Sequence, residues 1–495
     1  MSMKNYVEKE SVLCALKNNY MLLLIFLAGL TLRIYDLGTE SIWFDEAISI
    51  MVSKLGIIEQ IKWNIAVNES NPPFYYLLLH YWIPYFGDSE FISRLPSAIL
   101  GSVSILAIYA VGKLLFNKKA GLIAALILAT SVFHIKYSQE ARGYTLMVFL
   151  SLVSLYSLLK LTSGRRRVYS VAYIVSSVFL MYTHYYGSLI IIAQNVFCFT
   201  LFLKNKKAGE LSLWRWVKLQ AVLGLLFLPG FLLWAKVTFS IQKGFWVPEP
   251  QPGWILGFFT IYSGSLYLLI LFTVFSFLSV IGFGKINRAW KVKEFFRPLN
   301  DYPNNLGITS GNLIYLLLLW LLIPVMVPYI ISLASSPVLI FRYTICASLA
   351  FYLLASKGIS NTDNKWLIVF ISAVIVVLSM VSIEKYYSGV DKHQWREVMS
   401  DIETNAGYGD VIVVYPHYEK QPAYYYSKRK DLKIIPMKDK FPSFNRLGDR
   451  NIWFVVHAHP VNRRLLKSGL RGRYDFVSEK YYNRLDLFRL KEKRK

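Results

Sequence analysis

The chain has 495 residues, 55% of them hydrophobic and 16% aromatic, and a mean hydropathy of +0.39; soluble domains carry about 45–50% apolar residues, so composition excludes an ordinary soluble protein and points to a membrane protein. The formal charge of +25 is spread over short loops between apolar runs, which the positive-inside rule and anionic lipid explain better than nucleic acid. Of three cysteines, Cys198 and Cys346 lie in apolar runs and Cys14 in the leader, so no disulfide framework or metal spacing is present.

The first apolar run, about 20–37, has no small-residue cleavage pattern behind it and reads as a retained anchor. Directly after it comes Ser41-Ile42-Trp43-Phe44-Asp45-Glu46-Ala47. Two adjacent carboxylates at a membrane surface are costly unless solvated, capped or used, which makes Asp45 and Glu46 functional candidates. The competing reading makes Asp45 the N-cap of an amphipathic segment running through Met51. The loop 38–90 carries Glu40, Asp45, Glu46, Glu59, Glu69, Asp88 and Glu90 against Lys54 and Lys62. With Trp43, Trp63 and Trp82 it is expected to lie along the membrane as short helices, broken in two by Asn71-Pro72-Pro73.

Further apolar stretches of about 20 residues follow at 91–116, 120–137, 143–161, 168–186, 188–203, 219–237, 257–283, 312–333, 343–355 and 366–383, which makes about eleven spans. With a cytoplasmic N-terminus, the inside loops 117–119, 163–167, 204–218, 285–297 and 357–365 are all basic. The acidic loop and the tail then face outward. From about residue 384 the composition turns mixed, with buried strands expected at 410–415, 432–436 and 452–457 and helices at 395–405 and 462–470. The fold class is therefore an all-α polytopic membrane protein, residues 1–384, with a small extracytoplasmic α/β domain over 385–495. Gly407-Tyr408-Gly409 stops short of a nucleotide-binding loop.

Five motifs stand in order: Trp43-Phe44-Asp45-Glu46-Ala47, Asn71-Pro72-Pro73-Phe74-Tyr75-Tyr76, Arg94-Leu95-Pro96-Ser97-Ala98, Tyr137-Ser138-Gln139-Glu140-Ala141-Arg142-Gly143-Tyr144 and Thr183-His184-Tyr185-Tyr186-Gly187. Together they resemble family 39 glycosyltransferases, relatives of the protein O-mannosyltransferases and the aminoarabinose lipid A transferase, which share the GT-C membrane fold. In the tail, His393-Gln394-Trp395-Arg396 adds to the resemblance.

The resemblance implies transfer of a sugar from a polyprenyl-phosphate carrier to an acceptor lipid, glycan or protein on the extracytoplasmic face, with inversion at the anomeric carbon. It assigns the general base to Asp45, with Glu46 behind it; such a base contributes about 10²–10⁴-fold. The leaving phosphate needs no general acid but does need fixed cations or donors. Lys136, Arg142 and Arg342 are the cations expected on the outer face, and the guanidinium fork of Arg142 and Arg342 suits phosphate oxygens. Their competing reading is snorkelling or pairing with a structural carboxylate.

Glu140 and Arg142 would point apart if their segment were helical, so each needs another partner. Arg94, Glu140, Tyr144, His184 and Tyr185 are candidate substrate contacts, the aromatics also fitting an interfacial belt. Phe245-Trp246-Val247-Pro248 reads as a lipid cover or a headgroup anchor. The aminoarabinose transferase has a Glu-Lys pair where this chain has Ser70-Asn71, leaving Asn71 as a hydrogen-bond donor to phosphate. No metal or other cofactor is expected to be required, although a carboxylate-bound divalent ion stays open. A transporter or flippase of lipid-linked sugar, and a non-catalytic scaffold that binds it, are the alternatives; paired repeats with broken midplane helices, the usual mark of a transporter, are not evident.

Overall fold

The computed structural model describes residues 3–493 except 68, 70, 165, 206, 241–246, 282–305, 307, 363, 439–449 and 458–468. In chain order the helices are α1 (Met3–Ile34), α2 (Phe44–Ser53), α3 (Ile57–Ala66), α4 (Phe74–Phe86), α5 (Glu90–Leu115), α6 (Lys118–Thr130), α7 (Val132–Ser138), α8 (Tyr144–Ser163), α9 (Arg167–Thr183) and α10 (Gly187–Asn205). A two-strand hairpin, β1 (Lys207–Ala208) and β2 (Leu211–Ser212), precedes α11 (Leu213–Ser240), α12 (Trp254–Ser263), α13 (Leu266–Ile281), α14 (Ser310–Ala334), α15 (Ile345–Ser360) and α16 (Lys365–Ser388). The tail adds α17 (Trp395–Asn405), β3 (Val411–Tyr415), α18 (Lys420–Tyr426), β4 (Lys433–Pro436), β5 (Ile452–His457), β6 (Tyr474–Tyr482) and β7 (Leu485–Glu492).

These elements form two compact units. One comprises Met1–Tyr35, Ile61–Tyr75 and Leu95–Lys385; the other Asp36–Gln60, Tyr76–Arg94 and Tyr386–Lys495. The division differs from the expected one, because most of the acidic loop 38–90 packs with the tail. That loop also forms three helices, with a break at Lys54–Gly56 as well as the expected one before Phe74.

In the first unit every apolar stretch read from the sequence falls on a helix. Among the described residues six helices, α5, α8, α10, α11, α14 and α16, are long and apolar enough to cross a membrane, and two bent pairs, each taken as one span, bring the count to eight, against about eleven read from the sequence. The stretches expected as single spans over 120–137 and 257–283 are broken, by 60° between α6 and α7 and by 95° between α12 and α13. Both breaks have a local cause. Ser131 has extended backbone and its hydroxyl accepts from His134 N–H, capping α7; Gly264 sits at φ +84°, a left-handed conformation that needs glycine.

The carbonyls freed at the first break are taken up by Arg33, fully buried, whose guanidinium donates to Leu128 O at 2.9 Å and Ala129 O at 3.2 Å. Hydroxyls stitch the breaks together: Ser131 meets Tyr352 at 2.9 Å, Tyr352 donates to Tyr262 O at 2.6 Å, and His134 meets Ser348 at 2.8 Å. In lipid, helices associate through such polar contacts and through small residues that allow close approach. Gly358 of α15 is one of these, since a Cβ there would collide with the Phe275 carbonyl of α13.

In the second unit a five-stranded sheet has the order β4-β3-β5-β7-β6, with β3 parallel to β4 and β5 and the last three strands antiparallel. Alternating side chains build a core on each face. Ile412, Val414, Trp453, Val455, Leu485 and Leu487 pack against Trp395, Val398 and Ile402 of α17; Val413, Phe454, Phe488 and Leu490 form the other core. The strands expected at 410–415, 432–436 and 452–457 and the helix at 395–405 are present, while the β6–β7 hairpin was not anticipated. The expected helix at 462–470 and the basic loop 285–297 lie outside the described residues, in large part or wholly, as do Phe245 and Trp246.

Candidate active site

Asp45 and Glu46 occupy the first turn of α2, where the helix dipole favours negative charge. Trp43, not Asp45, holds the capping position, with φ −98° and ψ 176° and no side-chain capping bond. Successive helical residues are about 100° apart, so the two carboxylates meet different surroundings. Glu46 is completely buried. Arg94 binds it in bidentate fashion, Nε to Oε1 and Nη2 to Oε2, both at 2.8 Å, and Lys392 Nζ lies 3.3 Å from Oε2. Asp45 is half-buried and within reach of solvent.

Arg94 has no donor to spare. Its remaining N–H groups go to Leu37 O (2.9 Å), Glu40 O (2.8 Å) and Ser41 O (2.9 Å), which accounts for all five donors of a guanidinium. The expected substrate contact at Arg94 is therefore replaced by a structural one: this arginine ties the loop 37–41 and the Glu46 carboxylate together. Glu46 loses its place behind Asp45 as base for the same reason, since two cations hold its charge. The tail closes the cluster. Glu40 accepts from Asp391 N–H and Lys392 N–H, Ser41 donates to Glu397, and Arg396 donates to Glu90.

The first unit holds a second polar cluster. Residues 139–143, between α7 and α8, form bends and not helix, with Arg142 N–H donating to Glu140 O at 2.8 Å; the helical argument that separated Glu140 from Arg142 does not govern here. Tyr144 is the first residue of α8, and Glu140, Arg142, Tyr144 and His184 are all buried. Aromatic rings run from Tyr137 to Tyr144 (5.0 Å), Tyr144 to His184 (6.3 Å), and His184 to Tyr343 (4.6 Å), over which the Arg342 guanidinium lies at 5.6 Å.

His184 sits in the turn after α9, where Nδ1 accepts from Tyr186 N–H at 3.1 Å while buried Nε2 has no hydrogen-bond partner. Burial, followed by the charges of Arg142 and Arg342, holds its pKa down at about 3. Both arginine charges therefore act on one neutral imidazole. The Tyr185 hydroxyl, buried without a hydrogen-bond partner, is pushed up by burial and then by Glu69.

Lys136 is half-buried on α7. Asn71 is engaged locally: its backbone N–H and its amide both donate to Glu69 Oε1, at 3.1 and 2.8 Å, and its backbone carbonyl accepts from Asn64, while the second amide N–H keeps its capacity to donate. Three residues were missed. Lys392 and Tyr343 gave no signal, being placed only by packing; Glu69 was legible as a carboxylate two residues before the Asn-Pro-Pro motif. Among the described residues no group of three or more His, Cys, Asp or Glu could hold a metal.

Residues 70–234 match the family described as dolichyl-phosphate-mannose-protein mannosyltransferase. Among solved structures, the chain is similar to ArnT from Cupriavidus metallidurans bound to undecaprenyl phosphate, with 12% identity over 95% of this chain and 98% of that one and a TM-score of 0.57. It is also similar to the Archaeoglobus fulgidus oligosaccharyltransferase tethered with an acceptor peptide containing the NVT sequon via a disulfide bond, with 14% identity, 88% of this chain, 61% of that one and a TM-score of 0.51. No curated protein matches the chain. The expected GT-C membrane fold is borne out, and the resemblance to mannosyltransferases read from the motifs is matched over the stretch that contains four of the five.

Proposed function

We propose that this chain is a membrane glycosyltransferase that moves a hexosyl or pentosyl group from a polyprenyl-phosphate carrier to an acceptor hydroxyl on the extracytoplasmic face, inverting the anomeric carbon, with Asp45 as general base. The mannosyltransferase match and the fold shared with ArnT, solved with undecaprenyl phosphate, support the class. One contrast carries the residue assignment: of two adjacent carboxylates, Glu46 is buried and held by Arg94 and Lys392, while Asp45 stays within reach of solvent. A base must reach the proton it takes.

In the step itself the acceptor O–H gives its proton to Asp45 as its oxygen bonds to the anomeric carbon. The bond from that carbon to the phosphate oxygen breaks, and its electron pair leaves on the carrier phosphate. Arg142, Arg342 and Lys136 would meet that charge, because preorganised cations in a poorly hydrated site act strongly on it. Buried Glu140, Tyr144 and His184, with Tyr185, would contact the sugar, and neutral His184, whose Nδ1 accepts from Tyr186 N–H, carries its proton on Nε2 and can donate one hydrogen bond there. No metal is needed in this reading, since the leaving group is already anionic and the cations are the protein's own.

The test incubates the purified chain with a radiolabelled polyprenyl-phosphate sugar and candidate acceptors, then assigns the anomeric configuration of the product by NMR. Transfer with inversion is expected. A flippase would relocate the lipid without consuming it, and a scaffold would bind it without product; either result would overturn the proposal.

A further inference from the structure

At the end of α9 remote from His184, about 25 Å along the helix at 1.5 Å per residue, lies a pocket of about 590 Å³ lined by Arg167, Ser170, Glu210, Arg215, Lys218 and Val222 among others. A pocket of this size falls within the usual range for small-ligand sites. It belongs wholly to the first unit and serves no step of the proposed reaction.

Three cations face this pocket, and among the described residues none makes an ion pair: Arg215 Nη2 donates to Ser170 Oγ at 3.0 Å, and Lys218 Nζ lies 5.3 Å from the Trp214 ring centre. Arg215 Nη1 is buried with no hydrogen-bond partner. Burying one arm of a guanidinium without an acceptor is costly, which argues for an anion that supplies one. The N-terminus of α9 opens here without a side-chain cap and without an acidic residue in its first turn, so its end carries uncompensated positive potential. Among the described residues Glu210 is the one carboxylate in the lining.

We propose that this pocket binds a phosphate group, and the apolar rim favours a lipid headgroup as its source. Val222 of the lining is 44% exposed and Trp214, over whose ring Lys218 lies, is 67% exposed, a surface suited to acyl chains below a phosphate held by Arg167, Arg215 and Lys218. Indole at such a boundary marks the membrane interface.

Thermal unfolding of the purified full chain in neutral detergent tests this, with dioctanoyl phosphatidylglycerol, dioctanoyl phosphatidylcholine or inorganic phosphate titrated in turn. Phosphatidylglycerol is expected to raise Tm saturably, phosphatidylcholine far less, because its ammonium meets the same cations. R215Q with K218Q should weaken the half-saturating concentration by roughly tenfold or more, and E210Q should strengthen it. If inorganic phosphate stabilises as well as the lipid and loses its effect in R215Q/K218Q, the phosphate site stands with a soluble source. If no anion stabilises, or if the variants respond as the parent does, the proposal fails. Should R215Q/K218Q not fold, the E210Q comparison decides alone.

Discussion

Arg94 grips Glu46 through two parallel hydrogen bonds of 2.8 Å with both side chains buried. A buried pair of this kind is weak evidence for stability in itself, but breaking it leaves an uncompensated charge, which typically costs about 3–5 kcal/mol. Glu46→Gln strands Arg94 and Lys392 together, so it should lower the unfolding temperature in detergent markedly. Arg94→Lys should do nearly as much, because lysine cannot reach Glu46 and three carbonyls at once. Unchanged melting in both variants would remove the cluster from the folding account.

Asp45→Asn separates chemistry from stability. It keeps the size and the helix start but cannot take a proton, so turnover should fall by roughly 10²-fold or more while carrier binding and melting temperature persist. An Asp45→Asn enzyme that turns over normally would exclude Asp45 as base.

Arg142→Lys and Arg342→Lys keep charge while losing the planar fork. If these side chains hold the carrier phosphate, each should raise KM for the lipid donor by roughly tenfold, with kcat affected less. Donor kinetics equal to the parent in both variants would leave them structural roles.

His184 sets a pH dependence. Its pKa is held at about 3, below the ordinary value of about 6.5 in an unfolded chain. The unfolded state therefore takes up the proton first, so the stability this group contributes is complete above about pH 6.5 and is lost as pH falls from there toward 3. His184→Asn, which retains an acceptor for Tyr186 N–H, should flatten the dependence of melting temperature on pH between 6.5 and 4. An identical slope in parent and variant would show that another group is responsible.

Orientation is testable in the tail. Asp410 is buried, accepting from Asn451, Trp453 and Gly407, whereas Tyr408 is 85% exposed. Tyr408→Cys should react with an impermeant thiol reagent on intact cells, since basic inner loops predict an outward tail. Reaction only after lysis would reverse the orientation and place Asp45 inside.

Hydropathy alone located the apolar stretches of the first unit and the tail's first three strands, because spanning length and strand burial are written in the local pattern of apolar residues, whereas the apolar helix α4 was read only as part of the amphipathic loop. The motifs carried the family resemblance and the candidate carboxylates. The sequence did not reveal the bends at Ser131 and Gly264, since a single small residue interrupts a hydropathy run without changing its average. Nor did it reveal that Glu46 is completely buried in the grip of Arg94 and Lys392 while its neighbour Asp45 is only half-buried. The partners Arg94 and Lys392 lie 48 and 346 residues away, and neither carries a local signal pointing to Glu46. Two neighbouring carboxylates are alike in a sequence. They become different when the helix turns one into a buried cage of cations and leaves the other within reach of solvent, a choice that only tertiary packing makes.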